Sequence, residues 1–281
     1  MKLATFTSGD AVMPGVVVDE TTIVPLGAIA PDMLTLIANW DALHGAVAAA
    51  AAAREGALDL ASVSLLAPVP RPGKILAIGL NYADHIAETG MQTPAHQMWF
   101  TKPGTAVNGP YADIQIPRGS TMTDYEVEMV VVIGKGGRHI AKDDAPAHVF
   151  GYCVGNDVSE RVWQRLTPQF TLGKGFDTHA PFGPWITTAD AAGDVHALGI
   201  RCLVDGEVRQ DSSTQHLIFS VWDQIAELSK VMTLEPGDVI YTGTPGGVGA
   251  ARKPPAMLLP GCRVRCEIDG LGAIEAACVA E

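Results

Sequence analysis

The chain has 281 residues, 47% of them hydrophobic and 18% charged, and 19 Lys plus Arg against 31 Asp plus Glu give a formal net charge of −12. That length and composition describe an ordered globular chain able to bury a substantial core, and exclude a disordered one. The acidic balance argues against nucleic acid or an anionic membrane surface as a partner, so a small anionic substrate has to be met by local positive charge or by a metal.

Residues 1–30 read as short strands punctuated by Gly9, Asp10, Pro14 and Gly15, with one candidate from Gly15 to Asp19. From Pro31 to Glu55 the period becomes helical and ends in an alanine tract, Ala48 to Ala53. Pro68, Pro70, Pro72 and Gly73 form a stiff linker before a strand over 74–78, and they set a boundary near residue 70 between a small N-terminal subdomain, 1–69, and a catalytic domain, 70–281. Beyond it, apolar β-branched runs predict strands over 127–133, 151–154, 199–204, 239–241, 263–268 and 273–279, with helices over 145–149 and 218–232. Strands and helices do not alternate regularly, which speaks against a Rossmann or barrel architecture and for an α+β fold that is mainly β.

Five cysteines, Cys153, Cys202, Cys262, Cys266 and Cys278, lie mostly in apolar runs without a Cys-x-x-Cys pair, and read as buried free thiols. The first residues lack the apolar region of a secretory signal, and no run approaches the length of a membrane span. A soluble cytoplasmic protein is the expectation.

Chemistry concentrates in three places. In Asp124-Tyr125-Glu126-Val127-Glu128 the two glutamates are two apart on an apolar run, so a strand projects them from one face, and Asp157 ends a second strand-like segment. Like charges so placed are costly to bury without a cation, and three carboxylates suit a hard ion, Mg²⁺ or Mn²⁺, better than Zn²⁺. His85 and Glu88 are three apart on a short predicted helix, where a carboxylate can orient an imidazole as a general base. Arg161 and Gln164, again three apart, can present a guanidinium and an amide to one anionic ligand, and Lys174 sits in a glycine-flanked loop. The run Gly243 to Gly249 is rich in glycine but lacks the Gly-Lys-Ser/Thr ending of a phosphate loop.

Taken together, Asn81-Tyr82-x-x-His85-x-x-Glu88, Lys102-Pro103, Tyr125-Glu126-x-Glu128, Gly155-Asn156-Asp157-x-Ser159-x-Arg161-x-x-Gln164, Gly173-Lys174-x-Phe176-Asp177-Thr178, Pro236-Gly237-Asp238 and Gly243-Thr244-Pro245-Gly246-Gly247-Val248-Gly249 resemble the fumarylacetoacetate hydrolase superfamily over residues 70 to 279. The resemblance implies a mixed β-roll, a divalent metal (Mg²⁺ or Mn²⁺), a homodimer, and an enzyme acting on 2-oxo acids by C–C hydrolysis, decarboxylation or isomerisation. It implies Glu126, Glu128 and Asp157 as metal ligands, Lys174 beside metal and substrate, His85 and Glu88 as the water-activating pair, and Arg161, Gln164 and Thr244 as substrate contacts. Many relatives carry an Asp directly after the arginine; Val162 stands there in this chain, which calls the support of Arg161 into question.

The expected reaction is hydrolysis of a 2,4-dioxo acid, of acylpyruvate or diketo-deoxy sugar acid type, through a metal-stabilised pyruvate enolate. Oxaloacetate-type decarboxylation, isomerisation of an unsaturated 2-oxo diacid and a catalytically silent metal-binding homologue are the alternatives. The segment between Thr89 and Trp99 reads as a mobile lid, with His96 at its rim; His179, in the lysine loop, reads equally as site or packing.

Overall fold

In the computed structural model, which describes residues 1–90 and 92–281, the sheet is built around the strand the sequence marks most strongly. Val127–Ile133 is wholly buried and lies between two antiparallel neighbours, Val149–Asn156 and Val239–Tyr241. Its period of two divides it between two cores. Val127, Met129, Val131 and Ile133 pack toward a second, five-stranded sheet that contributes Ile200, Cys202, Val264, Cys266 and Ile274. Val130 and Val132 pack on the other side with Leu36, Ile37 and Val47 from two N-terminal helices. Each such side chain contributes on the order of 1.5–3 kcal/mol relative to exposure, so the strand cannot slip by one residue without exchanging both sets.

The large sheet runs, in spatial order, through Leu58–Asp59, Thr22–Pro25, Ala11–Val17, Lys2–Ser8, Ala180–Thr188, Val149–Asn156, Val127–Ile133, Val239–Tyr241, Ile75–Gly79 and Met98–Thr101. The strand Lys2–Ser8 pairs with Ala180–Thr188 at Lys2↔Thr187 and Leu3↔Ile186, so residues 1–69 are hydrogen-bonded into the same sheet as the rest of the chain. The second sheet follows the order Glu207–Ser213, Gly199–Val204, Arg263–Ile268, Gly272–Ala280, Ile114–Ile116. This is the mainly β, mixed α+β architecture expected of the chain.

Local expectations meet three corrections. The helical stretch over 31–55 is two helices, α1 (Met33–Ala38) and α2 (Trp40–Ala53), because Asn39 leaves helical geometry between them. The helix expected over 145–149 is a tight 3-10 segment, Lys142–His148, with Pro146 inside it and Val149 already in the next strand; proline supplies no amide proton for a longer helix. Ala180–Thr188 was not anticipated as a strand, since Pro181, Gly183 and Pro184 read as turn signals. The helix expected over 218–232 is α6 (Val221–Val231), started by a reciprocal capping box between Ser220 and Asp223. No helix among the described residues is long and apolar enough to cross a membrane.

Candidate active site

The carboxylates assemble where the central strand begins. Asp124 and Tyr125 lead into Glu126, whose amide donates to Asn156 Oδ1 at 2.9 Å, while the Asp157 amide donates to the Glu126 carbonyl at 2.9 Å. The two strand ends therefore lock Glu126 and Asp157 side by side. Close approach depends on Gly155, where a Cβ would lie 2.5 Å from Val130 Cγ2 and 2.8 Å from Tyr241 Cε1. One ligating oxygen from each of Glu126, Glu128 and Asp157 falls within 4.8 Å of the other two, and all three residues are buried.

Three buried cations surround them. Lys174 Nζ donates to Glu126 Oε2 at 2.7 Å and to Asp157 Oδ2 at 2.6 Å. Lys102 Nζ reaches Asp157 Oδ1 at 2.5 Å and the Val158 carbonyl at 3.2 Å. Arg161 spans Glu126 Oε1 and Asp124 Oδ2, each at 2.7 Å, and donates to Gln164 Oε1 at 2.9 Å. Asp124 is itself held by the amides of Gly249 and Ala250 at 2.7 and 2.9 Å, so it ties Arg161 to the end of the glycine-rich loop. The doubt raised by Val162 is thus corrected: Val162 points to solvent, and the support for Arg161 comes from Asp124, 37 residues away. Lys174 also departs from expectation, closing a one-turn helix, α5 (Thr171–Lys174), instead of sitting in an open loop. That turn packs on α4 (Arg161–Arg165) because Gly173 has no side chain; a Cβ there would meet Gln164 N at 2.4 Å.

The electrostatics separate the three carboxylates. Burial pushes Glu126 upward, yet Lys174 and Arg161 outweigh it and hold the carboxyl at about 2. Glu128 goes the other way: burial, then Asp157 and Glu126, push it well above the usual carboxylate range. It accepts from the Gly243 amide at 2.8 Å, and among the described residues it forms no ion pair, Lys174 opposing the upward push only from a distance. A buried carboxyl without a paired cation is what a divalent ion at this position compensates, so the residues fit Mg²⁺ or Mn²⁺. Burial also works against the charged form of Lys174, but Asp157 and Glu126 raise it above its ordinary value.

His85 stands on α3 (Ala83–Thr89), whose start is clamped by Asn81: its amide donates to Thr242 and Phe219 carbonyls at 2.8 and 3.1 Å and its Oδ1 accepts from Phe219 N at 2.8 Å. Nδ1 lies 2.7 Å from Glu88 Oε1, while Glu88 Oε2 accepts from the Gly247 amide at 2.8 Å. A carboxylate on Nδ1 selects the tautomer that leaves Nε2 free to take a proton.

A cavity of 560 Å³ collects eight of the nine residues singled out in the sequence; Asp157 lies behind its wall, fully covered by Lys102 and Lys174. Thr244 is on the wall, but its hydroxyl donates to the Val127 carbonyl at 2.9 Å and accepts from Gln210 Nε2 at 2.8 Å, so it has no proton left for a ligand. Met98 lines the cavity from the segment read as a lid, whose Met91 lies outside the described residues, and His96 is exposed off the wall. Lys102, Asp124 and Gln210 carried no assigned role in the sequence. Lys102 stood in a quoted motif, but it follows the strand Met98–Thr101, in which only Phe100 is buried, so nothing local marked it as a site residue.

His179 is buried away from the cavity, with Nε2 2.9 Å from the Gln115 carbonyl. Burial pushes it from 6.5 down to about 4, the Gln115 carbonyl opposing. Because the unfolded chain binds this proton first, the associated stability is complete above pH 6.5 and is lost as pH falls toward 4, at up to about 1.4 kcal/mol per pH unit. Thermal melts should therefore lose less between pH 7 and 5 in His179→Gln than in the parent chain; equal losses would remove His179 as the cause.

The fumarylacetoacetate hydrolase C-terminal family model matches residues 74–279. An oxaloacetate tautomerase, mitochondrial, of Rattus norvegicus is 44% identical over 92% of this chain and 83% of its own length, and one of Xenopus laevis is 42% identical over 98% and 89%. Among solved structures, maleylpyruvate hydrolase from Sphingobium sp. SYK-6, in complex with manganese (II) ion and pyruvate, superposes with a TM-score of 0.85 at 35% identity, covering 100% of this chain and 99% of that one. The 5-carboxymethyl-2-hydroxymuconate delta-isomerase from Mycobacterium smegmatis gives 0.82 at 32%, covering 100% and 99%. Hydrolase, isomerase and tautomerase relatives alike thus share this fold, and the chain belongs to the fumarylacetoacetate hydrolase family.

Proposed function

We propose that the chain hydrolyses the C3–C4 bond of a 2,4-dioxo acid, of acylpyruvate or diketo-deoxy sugar acid type, with Mg²⁺ or Mn²⁺ as cofactor. The observation that carries this reading is the His85–Glu88 pair on the wall of the same cavity as the acidic cluster. Glu126, Glu128 and Asp157 are the residues that would hold the cation. When bound, the cation supplies Lewis-acid polarisation of a 2-oxo acid.

The chain's own groups account for the proton and charge movements. His85 Nε2 takes a proton from water as the water oxygen bonds to C4, and Glu88 offsets the charge that develops on the ring. Lys174 commits two of its three N–H bonds to Glu126 and Asp157, leaving one for the oxyanion forming at C4. Gln164 spends its carbonyl oxygen on Arg161, so its amide N–H groups remain for the substrate. The C3–C4 bond then breaks, its electron pair passing into a pyruvate enolate. The proton on His85 returns to C3, and the products are pyruvate and a carboxylic acid.

A second reading, keto–enol isomerisation of oxaloacetate, is favoured by the tautomerase relatives at 44% and 42% identity. It uses the same base to move a proton between C3 and oxygen without water attack. The full chain, supplied with Mg²⁺ or Mn²⁺ and offered acylpyruvates and oxaloacetate under NMR, should release pyruvate and the matching acid from the acylpyruvates. Enol–keto exchange without cleavage would overturn hydrolysis in favour of the second reading, and inertness toward both would overturn each. The homodimer and the cytoplasmic location expected from the sequence are part of this proposal.

A further inference from the structure

The end of the central strand that carries Glu126 and Glu128 lacks a strand on one side. Val239–Tyr241 pairs with it only over Val130–Val132, so among the described residues the N–H and C=O of Val127, between the two glutamates, have no ladder partner there. Side chains take that place. Thr244 donates its hydroxyl to the Val127 carbonyl at 2.9 Å, and Gln210 Oε1 accepts from the Val127 amide at 3.0 Å. Gln210 Nε2 then donates to Thr244 Oγ1 at 2.8 Å and to the Pro245 carbonyl at 2.9 Å. A side chain only 1% exposed thus spends both donors and its acceptor on tying the acidic strand to the glycine-rich loop.

Gln210 comes from Glu207–Ser213, the edge strand of the five-stranded sheet, and is not part of the cavity wall. That strand pairs Gln210 with Cys202 but Val208 with Leu203, so Arg209 is an extra, bulged residue, and a bulge re-aims the side chains beside it. The loop lies against the bulge. Gly247 has φ +101°, and a Cβ there would lie 2.1 Å from the Arg209 carbonyl oxygen. Two residues beyond Gln210, Ser212 donates to Asp84 Oδ2 at 2.6 Å, and Asp84 Oδ1 accepts from the His85 amide at 2.8 Å. One edge strand therefore braces the acidic strand, the loop and the start of α3. We propose that Gln210 is a positioning residue of the active site: through Val127 and the loop it fixes Glu128, held by the Gly243 amide, relative to Glu88, held by the Gly247 amide. This rests on the reading of Glu126, Glu128 and Asp157 as a metal site, and it does not depend on which bond of the substrate is broken.

Outer contacts that orient metal-binding side chains are worth about 10- to 100-fold in metal affinity or activity. Calorimetric titration of the full chain with Mn²⁺ alone, followed by kcat and KM for an acylpyruvate at saturating Mn²⁺, compares the parent with Gln210→Met, which keeps the volume and removes all three hydrogen bonds. Mn²⁺ affinity should fall about tenfold, and kcat should fall about tenfold even at saturating metal, with KM changed less. A glutamine that served the fold alone would lower stability and leave both quantities as they are. Leu36→Ala supplies that comparison, since it truncates the core on the opposite face of the sheet and should keep affinity and kcat within about twofold. If Gln210→Met does not fold, Thr244→Val carries the same test, because it removes the hydroxyl that joins Gln210 to the Val127 carbonyl and its Mn²⁺ affinity is read without substrate. A loss of Mn²⁺ affinity smaller than about fivefold, or an equal loss in Leu36→Ala, overturns the positioning role whatever turnover does. A parent chain that binds Mn²⁺ but leaves acylpyruvates intact overturns hydrolysis alone, with Gln210 still decided by the metal titration. A parent chain that binds no Mn²⁺ overturns the metal reading and the positioning role together.

Discussion

Glu126→Ala is expected to weaken Mg²⁺ or Mn²⁺ binding by at least about tenfold and to destabilise the fold by about 3 kcal/mol. The two effects have one origin. Glu126 is a member of the acidic cluster and also the partner of both Arg161 and Lys174, at 2.7 Å each. Removing it takes away one candidate ligand and leaves two buried cations short of a carboxylate. Breaking a buried pair from one side costs about 3–5 kcal/mol, and the low end applies because Arg161 keeps Asp124 and Lys174 keeps Asp157. Metal titration calorimetry reads the first effect and urea denaturation the second. Unchanged metal affinity would sink the ligand assignment even if stability fell, since the stability loss follows from the ion pairs alone.

His85→Ala should have the opposite profile, with fold and metal affinity retained and turnover of 2,4-dioxo acids reduced by about 10²-fold or more. His85 makes its one side-chain contact of consequence with Glu88, at the cavity wall, and no ligand oxygen depends on it. Alanine there removes the proton acceptor and a buried ring, and the space opened adds to the cavity on whose wall His85 stands. Glu88→Gln should cost less, because the imidazole stays in place while the carboxylate that favours its charged form is gone. Steady-state kinetics on an acylpyruvate, with metal binding measured on the same preparations, would check both. Undiminished turnover in His85→Ala would remove it from the mechanism and leave proton transfer to another group.

Some of the site was legible because it obeys local periodicity. Glu126 and Glu128 are two apart in a run whose neighbours alternate between two cores, and His85 and Glu88 are three apart on a helix, so backbone geometry alone brings each pair onto one face. The glycine-rich run Gly243 to Gly249 was legible as a loop, but its work was not: its amides hold the Glu88, Glu128 and Asp124 carboxylates and no phosphate-like group is needed to explain it. Arg161 was legible as a cation near the site and misjudged in its support, since the residue that holds it is not its chain neighbour.

Alone, the residue order determined the mainly β class, the central buried strand, the two glutamates that share its end and the helical His85–Glu88 pair, the last three from spacing within a few residues. Only the tertiary structure decided how charge is shared among them. Lys102 reaches Asp157 across 55 residues, Lys174 reaches Glu126 across 48, and Asp124 reaches Arg161 across 37. The strand order that makes those meetings possible also joins residues 1–69 to the far side of the same sheet. The physical reason is that periodicity is a property of the local backbone, whereas compensation of a buried charge depends on which distant group is placed within about 3 Å of it.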